Sequence, residues 1–131
     1  MNFVFIMRPT PFSELIEQVK KKTSMASLRV GDAGIPNKLV KRIGLPWGGL
    51  GLFTNVGYQQ RLIEAGCDAF IAGESDNLGL RFATECGIPI IETSHEISEN
   101  PGLEHFATIL SEAFPALDVS FFNVECVWEM A

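Results

Sequence analysis

Residues 66–102 read GCDAFIAGESDNLGLRFATECGIPIIETSHEISENPG, and this stretch decides the fold. Asp68 to Ala72 is a short, nearly continuous apolar run that ends in the acidic turn Gly73-Glu74-Ser75-Asp76-Asn77. Leu78, Leu80, Phe82 and Ala83 then supply the apolar positions of a helix closing near Gly87, and Ile88 to Glu92 forms a second apolar run. Apolar runs of strand length on either side of a helical segment predict a βαβ unit, in which both strands are parallel and buried. The second run delivers Thr93-Ser94 and then His95 and Glu99. Four residues apart on a helical turn, an imidazole and a carboxylate share one face and can converge on one metal ion or one proton. A solvated turn carrying an ordinary His and Glu is the other reading of that spacing.

Outward from this unit the alternation continues. Phe3 to Met7 reads as a first strand, broken by Pro9-Thr10-Pro11, with Thr10 as N-cap and Pro11 at the first position of a helix whose face is Leu15, Ile16 and Val19. Lys20-Lys21-Lys22 at its end complement the helix dipole. Ser27 to Val30 reads as a half-exposed strand, Gly31 to Gly34 with Pro36-Asn37 as a turn, and Leu39 to Pro46 as a strand running into Trp47-Gly48-Gly49-Leu50-Gly51. Thr54 or Asn55 caps the next helix, which stops at Gly66. A glycine loop between strand and helix can present N–H groups to an anion. As a nucleotide motif it is weak, because Thr54 stands where the third glycine would be and no Walker lysine follows. Asn100 as N-cap and Pro101 at the first position open the last helix, with Leu103, Phe106, Ala107, Leu110 and Phe114 at helical spacing and His105 off that face. Beyond Pro115, Leu117 to Val127 has the longest strand pattern in the chain. The whole predicts one α/β domain with a mixed, mostly parallel sheet and flanking helices, its sites gathered at the carboxyl ends of the strands.

Composition narrows the functional classes. At 131 residues and 47% hydrophobic content the chain has the length to bury a core, and no apolar run approaches the roughly 20 residues of a membrane span. The Phe3 to Met7 run has no basic segment before it and is cut by Arg8, so a cytoplasmic protein is expected. Cys67, Cys86 and Cys126 show no metal or redox spacing and read as packing residues. Residues 1–66 hold nine of the ten Lys/Arg and four of the sixteen Asp/Glu, a charge of +5, which leaves −11 on residues 67–131. That asymmetry argues against a general nucleic-acid binder and favours cations near the second half.

The order of a strand into GGLG, a helix ending in EAGCDAFIAGES, a second helix ending in ECGIPIIETSHEISENPGLEHFA, and a terminal strand resembles the C-terminal half of the NIF-three-like family, the GTP cyclohydrolase type-two-like dinuclear metal proteins. The resemblance runs from about Pro11 to the C-terminus. It is most specific at Gly66-Cys67-Asp68 with Gly73-Glu74, and at His95 and Glu99 followed by Gly102. It implies that His95 and Glu99 are metal ligands, the Glu able to bridge two divalent ions (Zn, Mn or Fe), with Glu74, Asp76, Ser94, Gly49 and Gly51 as neighbours. No residue is assigned as catalytic. The implied chemistry is metal-assisted hydrolysis of a small phosphorylated or nucleotide-like substrate, and ring-like homo-oligomers are the implied assembly.

The chain departs from the family in three respects. The remaining ligands, a His-His pair and an Asp, lie in an N-terminal half that residues 1–131 do not contain, and the chain has two histidines in all. Ser94 stands where the family tends to have Gly. Asp76, Asn77 and Arg81 occupy the stretch that often carries a His. The expectation is therefore a single family domain with a partial metal site, and the alternative is a non-catalytic homo-oligomeric binding or assembly module that has lost the dinuclear site.

Overall fold

In the computed structural model, which describes residues 3–35 and 37–129, the elements follow as β1 (Val4–Pro11), α1 (Phe12–Thr23), β2 (Arg29–Gly31), β3 (Leu39–Gly44), a 3-10 turn (Phe53–Asn55), α2 (Val56–Glu64), β4 (Ala69–Ala72), α3 (Asn77–Glu85), β5 (Ile90–Glu92) and α4 (His95–Ala113). Pro36 of the expected Pro36-Asn37 turn lies outside the described residues. The five strands form one mixed sheet in the order β1-β3-β4-β5-β2. β3, β4 and β5 run parallel at its centre, while β1 and β2 pair antiparallel at the two edges.

The expected βαβ unit is present because both of its strands are apolar enough to be buried on both faces. Phe70 and Ile90 point into the core shared with α2 and α3, among Leu62, Cys67, Ala83 and Ile88. Ile43 and Ile91 belong to the opposite core, against Phe12, Leu15 and Val19 of α1. Helices thus cover both faces of the parallel strands. With Phe70 and Ile90 wholly buried, truncating Phe70 to Ala would cost about 3–5 kcal/mol in lost contacts and cavity formation.

The connections follow local chemistry. α1 places Phe12, Leu15 and Val19 on one face, carries Lys20, Lys21 and Lys22 in its last turn, and ends at Ser24 in the left-handed region. Asp76 caps α3 by accepting from the Gly79 N–H. Among the described residues no helix is long and apolar enough to cross a membrane.

Four expectations are corrected. β1 does not break at Pro9 but continues to Pro11 with a register irregularity between Ile6 and Thr10, and Thr10 is a buried strand residue, not a helix cap. An edge strand accommodates prolines because no neighbour needs their missing N–H. α4 starts at His95, not after Asn100: Ser94 accepts from the Ile97 N–H as the cap, and Pro101 lies inside the helix. Leu117 to Val127 forms no strand and runs as an irregular tail beside α4, tied to it where Asn100 Nδ2 donates to the Val124 carbonyl at 2.7 Å. Of the cysteines only Cys67 is buried; Cys86 is exposed at the end of α3, and Cys126 is half-buried in the tail.

Candidate functional site

The carboxyl ends of β3, β4 and β5 are laced together by their connections. Beyond β4, the Gly73 N–H donates to the Pro46 carbonyl (3.2 Å) and the Glu74 N–H to the Gly48 carbonyl (2.8 Å); beyond β5, the Thr93 N–H donates to the Ala72 carbonyl (3.0 Å). This lacing brings the glycine loop, the acidic turn and the start of α4 to one point.

At that point three side chains meet. Ser94, at φ 89°, turns the chain out of β5 so that α4 opens with His95 and carries Glu99 one turn on. His95 Nδ1 pairs with Glu74 Oε2 at 3.0 Å, and His95 Nε2 lies 3.3 Å from Glu99 Oε1. Each side chain is a little less than half exposed. The imidazole pKa is raised, chiefly by the hydrogen bond to Glu74; desolvation opposes this, and the nearby Glu99 charge adds to it. Exposed pairs of this kind are worth roughly 0–1 kcal/mol, so fold stability does not account for the arrangement.

The glycines form the floor under this trio. Gly48 has φ 52°, and a Cβ there would overlap the Glu99 carboxylate and stand 3.2 Å from His95 Nε2. A Cβ at Gly73 would overlap Ser98 Oγ and come within 2.6 Å of the Gly48 backbone. Gly49 faces the imidazole, its Cβ position 3.6 Å from Cε1.

The expected neighbours divide. Glu74 pairs with His95, Gly49 leaves open the space beside its ring, and Ser94 aims α4. Asp76 is spent on structure, its carboxylate accepting from the Gly79 and Phe53 N–H groups. Gly51 packs on the backbone of Glu74 and is held through its carbonyl by Gln59 Nε2 and Ser75 Oγ.

Two further features had no sequence signature beyond residue type. Ser98 Oγ accepts from the buried Gly48 N–H (3.0 Å) and donates to the His95 carbonyl (2.7 Å), which locks α4 to the glycine loop. Beneath the site, Glu92 is 2% exposed and takes both oxygens to Arg29 Nη1, at 2.9 and 3.0 Å. A carboxylate closing an otherwise apolar strand was the one available hint. Burial pushes the Glu92 carboxyl up, and Arg29 partly offsets that.

Among the described residues no group of three or more His, Cys, Asp and Glu side chains is arranged to hold a metal ion. The geometry gives the reason: Glu74 and Glu99 approach opposite nitrogens of one ring, so at most His95 Nε2 and Glu99 face a common point. The residues present therefore offer no more than two groups to a common point, with one carboxylate on the other ring nitrogen, fewer than the three or four protein ligands of a metal site.

The chain is 28% identical over 114 residues to the GTP cyclohydrolase 1 type 2 homolog of Haemophilus influenzae, a match covering 87% of this chain and 41% of that protein. A Salmonella typhimurium protein of the same description is 29% identical over 116 residues, covering 88% of this chain and 44% of its own length. The chain therefore spans less than half the length of these curated relatives. Among solved structures, Staphylococcus aureus protein SA1388 shares the fold with a TM-score of 0.75 at 21% identity, covering 97% of this chain and 36% of that one. A family model described as Duf34/NIF3 (NGG1p interacting factor 3) matches residues 2–127, and on that match the chain belongs to the Duf34/NIF3 family.

Proposed function

We propose that His95 and Glu99 are two ligands of a divalent-metal site and that Glu74 orients the first of them. The observation that carries this reading is the imidazole set between two carboxylates, one on each nitrogen. A metal-ligating His commonly gives its second N–H to a carboxylate, which fixes the tautomer and leaves the other nitrogen's lone pair free for the ion. Glu74 on Nδ1 is placed for that task, and Nε2 faces Glu99.

Zn, Mn or Fe suits a mixed imidazole and carboxylate pair. When bound, such an ion acidifies water for hydrolysis of a phosphorylated or nucleotide-like substrate, a class suggested by the GTP cyclohydrolase 1 type 2 homologs that the chain resembles. This chain's own residues hold and orient: Gly48 and Gly49 leave room for the ring and carboxylate, and Ser98 fixes the turn that carries both. The remaining ligands come from another polypeptide segment, which makes the site dependent on assembly.

The test is metal content after purification without chelators, with Zn, Mn and Fe titration. His95→Ala and Glu99→Gln are expected to abolish binding, and Glu74→Gln to weaken it about 10–100-fold. Unchanged binding in all three variants overturns the reading.

A second reading is a homo-oligomeric assembly module without metal. The apolar side chains exposed along α4 and the tail, Phe106, Phe114 and Phe122 among them, favour it, since large apolar groups left in solvent in such number mark a contact. An oligomer that takes up no metal would establish it over the first; a metal-loaded chain with hydrolytic turnover would remove it.

A further inference from the structure

Arg29 is the first residue of β2, the three-residue edge strand that pairs antiparallel with β5, and the register sets it directly opposite Glu92. Its Nη1 donates to both Glu92 oxygens, at 2.9 and 3.0 Å, and at 3.3 Å to the Ser75 carbonyl. The Ser75 N–H is turned to the same carboxylate, where it favours the charged form. One ion pair therefore engages both backbone polar groups of Ser75, the residue next to Glu74. Glu74 in turn is the carboxylate on His95 Nδ1.

Stability does not explain this pair. Glu92 is buried, and burial raises its pKa despite Arg29 and the Ser75 N–H, with the Glu74 charge adding to the rise, so the folded chain disfavours the Glu92 charge. Packed apolar side chains of similar volume often replace a buried ion pair without loss of stability. The position of the pair is more telling. The other ties on the acidic turn run to the glycine loop and the helices beside it: the Glu74 N–H to the Gly48 carbonyl, Ser75 Oγ to the Gly51 carbonyl, and Asp76 to the Phe53 and Gly79 N–H groups. Arg29 and Glu92 reach the turn from the opposite side, across the end of β5. A carboxylate that has to meet one ring nitrogen at 3.0 Å tolerates little drift of its own backbone, because a hydrogen bond weakens steeply as distance and angle depart from the optimum.

We infer that Arg29 and Glu92 are positioning residues of the His95 site: through Ser75 they hold the Glu74 backbone where its carboxylate accepts from Nδ1, and so they keep the proton on Nδ1 and the lone pair on Nε2. They act through Glu74 and hold the ring in the metal-free chain. The use of that hold, a ring presented with Nε2 free for an ion, rests on the reading proposed above.

Imidazole 15N spectroscopy on the metal-free chain, at a pH where both rings are neutral, reads which nitrogen carries the proton. The chain has two histidines, and His105, exposed farther along α4, is the internal reference. The parent is expected to hold His95 in the Nδ1–H form. Arg29→Met combined with Glu92→Leu replaces the pair by apolar side chains and is expected to keep the fold while His95 relaxes to the mixed tautomers of His105. Arg29→Lys is one atom shorter, so it keeps its charge against Glu92, gives up the longer contact to Ser75, and is expected to shift His95 in the same direction. This second variant decides where the first does not fold. A parent without the Nδ1–H form, or an unchanged His95 in either folded variant, overturns the positioning role whatever metal titration shows. A parent that takes up no metal yet shows the shift overturns the metal reading and upholds the positioning.

Discussion

Gly48 lies directly under Glu99, so close that a Cβ at position 48 would overlap the carboxylate. Its φ of 52° is also a conformation that L side chains resist, by about 1–2 kcal/mol. Gly48→Ala is therefore expected to lower stability by at least that amount and to displace Glu99 from His95. Thermal unfolding reads the first effect, and metal titration reads the second. A variant as stable as the parent would show that the loop shifts freely.

Ser98→Ala removes the acceptor of the buried Gly48 N–H and the donor to the His95 carbonyl. Leaving a buried N–H unpaired costs about 1–3 kcal/mol, measurable as a lower urea midpoint with an unchanged slope.

Glu92 makes stability depend on pH in a direction opposite to that of most paired carboxylates. Burial raises its pKa above the unfolded value despite Arg29. Its contribution is therefore fully present below the unfolded carboxylate pKa and is lost as pH rises through the folded one. Glu92→Gln keeps an acceptor for Arg29, whose side chain is partly in solvent, and removes this ionisation. The variant should gain on the parent as pH rises from acid to neutral, read by urea unfolding across that range. A constant difference between the two would contradict the assignment.

Lys38 holds the entry ends of two parallel strands, with Nζ donating to the Asp68 carbonyl at 2.8 Å and the Gly87 carbonyl at 2.9 Å. Burial lowers its pKa, and the neighbouring Asp68 charge opposes that shift. Lys38→Met should cost about 1–3 kcal/mol by stripping both carbonyls of a charged donor. Hydrogen exchange should show the loss as faster exchange at the starts of β4 and β5.

The alternation of apolar runs with capped amphipathic segments was enough to read the α/β class, the βαβ unit at its centre and the strand ends that carry His95 and Glu99. Those features are local: burial on two faces demands a continuous apolar run, and a helical face demands its own period. The start of α4 at His95 departs from the expected one for an equally local reason. Asn100-Pro101 satisfies the rules for a helix N-terminus as well as Ser94 does, and only the turn out of β5, with Ser94 bonded to the Ile97 N–H, decides between them. Residues 117–127 had strand composition, but a strand exists only through a neighbour, and α4 offers the tail no sheet edge.

What the sequence determined by itself was the α/β alternation up to β5 and the two residues, His95 and Glu99, that spacing places on one face. The meeting of Glu74 with His95, the lock of Ser98 on Gly48 and the burial of Glu92 against Arg29 came from the tertiary structure alone. Each joins residues more than twenty positions apart, and such contacts depend on which strands the sheet sets side by side, antiparallel β2 on β5 for Arg29 and Glu92 and the parallel strand ends for the other two, which no local pattern of residues encodes.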